Sequence, residues 1–219
     1  MGANRDPMLP HRYRVAEVRE ELADVATLGL APVDGPIPAF APGQFNMLYA
    51  FGVGEVAISV SGDPGEGTLR HTVREVGAVS RALRGLGRGE MLGVRGPFGT
   101  GWPLGREAGR RLLFVAGGLG LAPLRPAILA ALAAPGRFAG LGLVYGARSP
   151  ADILYARELA AWAEGGAMEV TVTVDHARPG WAGRVGMVTT CLDAALAGAD
   201  PARVSAFVCG PEVMMRFTA

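Results

Sequence analysis

A seven-residue run, Gly117-Gly118-Leu119-Gly120-Leu121-Ala122-Pro123, joins an apolar stretch at residues 111–116 to an alanine- and leucine-rich stretch at residues 121–134. Set between a strand-length and a helix-length segment, such a run leaves few architectures open. Glycine turns tightly and lets the backbone approach a neighbour without a Cβ. The helix that follows offers unpaired N–H groups and a positive dipole end, which suits a pyrophosphate. The spacing is G-G-x-G-x-A-P and departs from the G-x-G-x-x-G dinucleotide fingerprint. Close helix–strand packing alone would also account for it.

The rest of the chain divides by period. Downstream, residues 111–116, 140–145, 168–174 and 204–208 read as strands, with helices at 121–134, 153–164 and 189–197. This alternation predicts a parallel doubly wound α/β sheet. Upstream, short alternating runs punctuated by glycine and proline fall at 13–18, 25–31, 44–50, 56–61, 68–76 and 91–94. One helical patch at 80–86 places Ala82, Leu83 and Leu86 on one face. That pattern predicts a small antiparallel β-barrel. The expected organisation is two-domain: an N-terminal antiparallel β-barrel over 1–106 and a C-terminal α/β domain over 107–219. The boundary falls in the Gly/Pro-containing turn at 101–109.

Composition excludes several classes. Half of the 219 residues are apolar and 19% are charged, so a large core is expected and disorder is not. A formal charge of +1 gives no basic patch for nucleic acid or an anionic membrane surface. Cys191 and Cys209 are the two cysteines and lack C-x-x-C spacing, and the three histidines lack metal-ligand spacing, so no metal site is expected. The polar start at residues 1–10 has no apolar h-region, so no signal peptide is expected. The most apolar stretch, 112–134, contains Arg125, two prolines and a Gly-Gly pair. It reads as strand–loop–helix rather than a membrane span, and a cytoplasmic protein follows.

Five further places are weighed as ligand sites. Gly77-Ala78-Val79-Ser80 opens the upstream helix, where backbone amides and the Ser80 hydroxyl suit a phosphate; an ordinary helix start reads the same. Ile58-Ser59-Val60-Ser61 ends a strand, and small hydroxyls among apolar residues would let a flat ring lie on the backbone; plain strand alternation also produces it. Within the run Arg95-Gly96-Pro97-Phe98-Gly99, Pro97-Phe98-Gly99 followed by Gly101 reads as a tight loop leaving the barrel, and a plain domain-connecting turn would serve equally. Cys209-Gly210-Pro211 ends the last predicted strand, at the sheet edge where open α/β sheets bind ligands. Asp175 follows the third downstream strand. Its carboxylate would pair with a ribose hydroxyl and repel a 2′-phosphate, although Arg148 and Arg178 stand close enough in sequence to offset it.

In their order these motifs resemble the ferredoxin–NADP reductase superfamily over nearly the whole chain. With Pro42-Gly43-Gln44-Phe45-Asn46-Met47-Leu48-Tyr49, they look most like the gamma (flavin) subunit of cytosolic nickel–iron hydrogenase or sulfhydrogenase. Sulfite reductase B and dihydroorotate dehydrogenase electron-transfer subunits are similar. The resemblance implies FAD and NAD(P)H as cofactors. Residues 58–61 would hold the flavin ring and 77–80 its pyrophosphate. The 117–123 loop would take the nicotinamide dinucleotide, with Cys209 by the nicotinamide. Many members carry an arginine just before the Ile-Ser or Tyr-Ser pair; Val56 and Ala57 stand there here, which leaves FAD against FMN open. Members usually continue past the Cys-Gly-Pro motif with a final helix, and this branch often adds a cysteine cluster. The α/β domain therefore reads as truncated, with any [2Fe–2S] centre confined to a segment beyond Ala219 or to a partner chain.

Three functions compete on these readings. One is an electron-transfer subunit moving a hydride between NAD(P)H and FAD and electrons to or from an iron–sulfur or hydrogenase-type partner. Another is a stand-alone NAD(P)H–flavin or ferredoxin reductase. The third is a non-catalytic nucleotide-binding module.

Overall fold

The computed structural model describes residues 8–218, so most of the polar start read above lies outside the described residues. The chain divides into two compact units, Met1–Gly101 and Trp102–Ala219.

In the first unit, β1 (His11–Leu22), β2 (Val25–Pro32), β3 (Phe45–Ala50), β4 (Gly54–Ser59), β5 (Leu69–Arg74) and β6 (Met91–Phe98) form one antiparallel sheet. Its order is β4-β3-β6-β1-β2-β5. The two edge strands meet where Val60 bridges His71, which closes the sheet on itself. Period-two alternation sends Val15, Leu28, Leu48, Leu69, Val73 and Leu92 into one core, and α1 (Ala78–Arg84) adds Leu83. The sequence put Pro97 and Phe98 in a loop; instead they complete β6. Phe98 pairs in register with Phe45, with ring centroids 5.9 Å apart. Arg95 in the same strand holds Glu55 through its Nη2 at 2.6 Å.

In the second unit, β7 (Arg111–Gly117), β8 (Gly140–Ala147), β9 (Glu169–Val174), β10 (Arg184–Val185) and β11 (Val204–Cys209) form a parallel sheet of order β10-β9-β8-β7-β11. The helices are α2 (Leu121–Leu132), α3 (Ala156–Glu164), α4 (Leu192–Leu196) and α5 (Glu212–Thr218). The chain thus walks outward from β7 to β10, then returns to place β11 on the other side of β7.

Several expectations need correction here. The helix expected from residue 153 starts at Ala156, because Leu154 N–H donates to the Tyr145 hydroxyl at 3.1 Å and Tyr155 adopts φ 54. The helix expected at 189–197 is the five-residue α4, preceded by a 3-10 turn (Val188–Cys191) whose Val188 and Cys191 are drawn into the core. Strand β10 was not anticipated. A final helix does follow Cys209-Gly210-Pro211: α5 forms because Met214 buries its side chain on the same core.

Arg110 ties the start of β11 in place. Its guanidinium donates to the Val204 carbonyl at 2.7 Å, to the Ala202 carbonyl at 2.9 Å and to Ser205 Oγ at 2.5 Å.

Candidate functional site

The strand order makes β7 the switch point of the second unit. Its two neighbours, β8 and β11, are reached by connections running in opposite directions, and open sheets leave a crevice at the carboxyl ends of such strands. The Gly117–Pro123 run and Cys209-Gly210-Pro211 both lie there, since Cys209 pairs with Ala116 and Gly117 with Gly146.

The glycines of this run do different jobs. A Cβ on Gly120 would overlap the Cys209 carbonyl and come within 2.8 Å of Gly210 Cα. A Cβ on Gly117 would lie 2.6 Å from Met214 Sδ, and one on Gly210 2.7 Å from Met214 Cε. These three glycines let the β7–α2 turn and the β11–α5 turn interlock. Gly118 differs: φ is +52 and nothing lies within 4 Å of an added Cβ. It is the one glycine of this run around which the described residues leave free space. Behind it, Gly118–Gly120 form one 3-10 turn that runs into α2. The helical run begins at Gly118, so its opening amides are those of residues 118–120; Leu121 N–H already donates to the Gly118 carbonyl, and Pro123 has no N–H. Leu121 and Ala122 are buried beneath this turn, while Leu119 and Pro123 are half-buried.

Trp102 carries no motif, yet it supports the start of α2. Its indole N–H donates to the Pro123 carbonyl at 3.2 Å, and its ring stands edge-on to Phe207 at 5.6 Å. Met214 was likewise invisible in the sequence, because Gly117 and most of the core side chains it packs on lie far from it in the chain.

Cys209 is half-buried, and burial raises its thiol pKa, so it stays protonated at neutral pH. Asp175 is exposed just past β9, with its N–H on the Ala147 carbonyl at 2.9 Å. The next amide, His176 N–H, reaches the Arg148 carbonyl at 2.9 Å. Asp175 and Arg148 therefore stand on adjacent strand ends along the same sheet edge, Arg148 one strand from the β7 loop and Asp175 two strands, or about 10 Å, from it.

In the first unit, residues 58–61 are held firmly. Ile58 is half-buried against the barrel core, and Val60 is fully buried. Val60 N–H donates to the Gln44 carbonyl at 3.0 Å, and Ser61 N–H to the Arg70 carbonyl at 2.9 Å. Ser61 is buried too, its hydroxyl 2.9 Å from that of Thr72. Thr72 continues to Thr27, and Thr27 to Glu21. Of the two serines, the half-buried Ser59 is the one placed to meet a ligand.

At Gly77–Ser80, the Ser80 hydroxyl is engaged within its own turn. It accepts from Val76 N–H at 3.0 Å and Gly77 N–H at 2.9 Å and donates to the Gly77 carbonyl at 3.2 Å. Gly77 and Ala78 are exposed, and a Cβ on Gly77 would meet nothing. The first-turn amides of Ala78 and Val79 remain for an anion. A Cβ on Gly54, at the start of β4, would lie 3.3 Å from Val79 Cγ2, whereas Ser59 ends that strand. The two segments thus mark opposite ends of β4 and suit an elongated ligand. Open backbone at Gly77 and Gly118, each beside unpaired helix-start amides, fits the phosphates of two nucleotide cofactors.

Among the described residues, no group of three or more His, Cys, Asp or Glu could hold a metal ion. No helix among them is long and apolar enough to cross a membrane.

A closed antiparallel barrel followed by a parallel sheet with a glycine-rich switch-point loop defines a two-domain nucleotide-dependent oxidoreductase. Residues 114–219 match the oxidoreductase NAD-binding domain family. Sulfhydrogenase 1 subunit gamma of Pyrococcus furiosus is 33% identical over 99% of this chain and 75% of its own length. Sulfhydrogenase 2 subunit gamma of the same organism is 32% identical over 70% of this chain, and the match spans only 54% of that relative. A ferredoxin NADP+ reductase from Neisseria gonorrhoeae with bound FAD and NADP superposes with a TM-score of 0.77 at 20% identity, covering 94% of this chain and 87% of that one. The chain belongs to the ferredoxin–NADP reductase superfamily of NAD(P)H-dependent flavin oxidoreductases.

Proposed function

We propose that this chain is the flavin subunit of a larger redox assembly, moving a hydride between NAD(P)H and FAD and electrons to or from an iron–sulfur partner. The observation that carries the reading is the interlocked switch-point loop, with Gly120 packed on the Cys209 backbone and Gly118 left open. The sulfhydrogenase gamma relatives support the subunit role. Two separated cysteines cannot supply a four-cysteine cluster, so the iron–sulfur centre belongs to another chain or to sequence beyond residue 219. The charge balance gives no nucleic-acid surface, and we place the protein in the cytoplasm.

Each residue then has a role. The opening amides of residues 118–120 and the α2 dipole hold the dinucleotide pyrophosphate, with Gly118 allowing close approach. The protonated Cys209 thiol, with Gly210 and Pro211, packs against the nicotinamide without placing a charge there. Asp175 accepts from the adenosine ribose. Ile58 and Ser59 carry the flavin ring, Val60 and Ser61 anchor that edge from inside, and the amides of residues 78–80 take the flavin phosphates behind Gly77. Bound there, the flavin supplies the conversion between two-electron and one-electron transfer.

The test is anaerobic. Protein incubated with excess FAD and freed of unbound flavin should stay yellow and bleach on adding NADH or NADPH. A colourless preparation would leave only the nucleotide-binding module. Rapid turnover with a soluble acceptor and no partner would favour the stand-alone reductase. Co-purification with metal-bearing subunits would favour the assembly.

A further inference from the structure

The barrel closes through His71. Its backbone bridges Val60, and its imidazole Nδ1 lies 3.0 Å from the Ser59 carbonyl oxygen. A carbonyl only accepts, so Nδ1 carries the proton in this contact. The side chain is fully buried, and burial holds its pKa at about 4, against the opposing pull of the Ser59 and Ile58 carbonyls. Nε2 is buried with no hydrogen-bond partner among the described residues. An aliphatic residue would fill this place without that orphaned acceptor, so the imidazole has to be explained by what Nδ1 does.

What Nδ1 does is hold a strand end. The β3–β4 ladder finishes at the Phe45–Ser59 pair. Beyond it, Val60 and Ser61 are fixed through their amides and the Thr72 hydroxyl. The Ser59 carbonyl shares its peptide plane with Val60 N–H, so Gln44 holds one side of that plane and His71 the other, just where the segment bearing Ile58 and Ser59 leaves the ladder.

We propose that His71 is a positioning residue of the flavin seat, its Nδ1–H fixing the Ser59 peptide so that the edge formed by Ile58 and Ser59 meets the flavin ring in one orientation. This rests on the reading that residues 58 and 59 carry the ring. His71 touches no cofactor itself and acts through Ser59.

The experiment titrates FAD into the parent chain, His71→Leu and His71→Asn, and follows amide hydrogen exchange at residues 58–61 without flavin. Leucine removes the donor, and we expect FAD affinity to fall roughly tenfold, the scale of one hydrogen bond at its upper end. Exchange at residues 58–61 should quicken. Asparagine restores an N–H of similar reach and should recover most of both losses. NAD(P)H affinity should not move. His71→Phe keeps the ring volume without the donor and replaces leucine if that variant does not fold. FAD affinity within twofold of the parent in the leucine or phenylalanine variant overturns the proposal, as does equal loss with asparagine. If the parent binds no flavin, the proposed function fails. Unchanged exchange at residues 58–61 would then overturn the His71 contact separately.

Discussion

Gly120 rests directly on the Cys209 carbonyl, with no room between them for a single methyl group. The start of α2 and the end of β11 are thereby one packed unit, and the glycines around them answer to two different demands.

Gly120→Ala and Gly118→Ala should therefore fail differently. The first forces backbone apart and should cost about 3 kcal/mol of stability, the upper range for overpacking. Gly118→Ala meets no atom but must hold positive φ, at about 1 kcal/mol. It should stay folded and lose NAD(P)H affinity. Thermal unfolding alongside nicotinamide titration separates the two; a Gly118→Ala chain with parental NADH binding would remove the loop from the cofactor site.

Ala78→Asp tests the phosphate seat by opposing two effects. A carboxylate in the first turn of α1 suits the helix dipole, so unfolding should not worsen. The same charge would repel a flavin phosphate, and FAD affinity should drop at least tenfold. Flavin fluorescence titration reads it. Equal affinity in parent and variant would place the phosphates elsewhere.

Asp175 should make the chain prefer NADH. The carboxylate is exposed, so screening limits its repulsion of a 2′-phosphate to about tenfold in selectivity. Asp175→Ser should shift the ratio of NADH to NADPH reduction rates toward NADPH. A parent that already prefers NADPH would assign selectivity to Arg148 or Arg178.

Stability should weaken in mild acid because of His71. Its folded pKa is about 4 and its ordinary value 6.5, so the unfolded chain takes up the proton first. The contribution is intact above pH 6.5 and declines as pH falls toward 4, by on the order of 3 kcal/mol. Urea midpoints across that range should slope less for His71→Leu than for the parent. Parallel slopes would mean that the imidazole titrates normally.

The two periods in the sequence were enough to read the architecture, since alternation of two in β1–β6 and of strand with helix beyond residue 110 are local properties. What stayed hidden depended on distant partners. The late start of α3 follows from the Tyr145 hydroxyl, which captures the Leu154 amide. Strand β10 is two exposed residues that only β9 reveals. At the candidate site, the order of the motifs was visible but the division of labour was not. Gly117, Gly118 and Gly120 look alike until residues some ninety positions away come to rest on two of them.

That separation has a consequence for synthesis. The strand that completes the cradle, β11, is held by Arg110 and pairs residue for residue with β7, more than ninety residues earlier in the chain. Contacts of such long sequence separation form late, whereas the barrel strands precede Gly101 and can assemble while the rest is still being made. On the ribosome, the loop around Gly118 emerges long before the backbone it leans on. The proposed dinucleotide seat is complete only when Cys209 arrives.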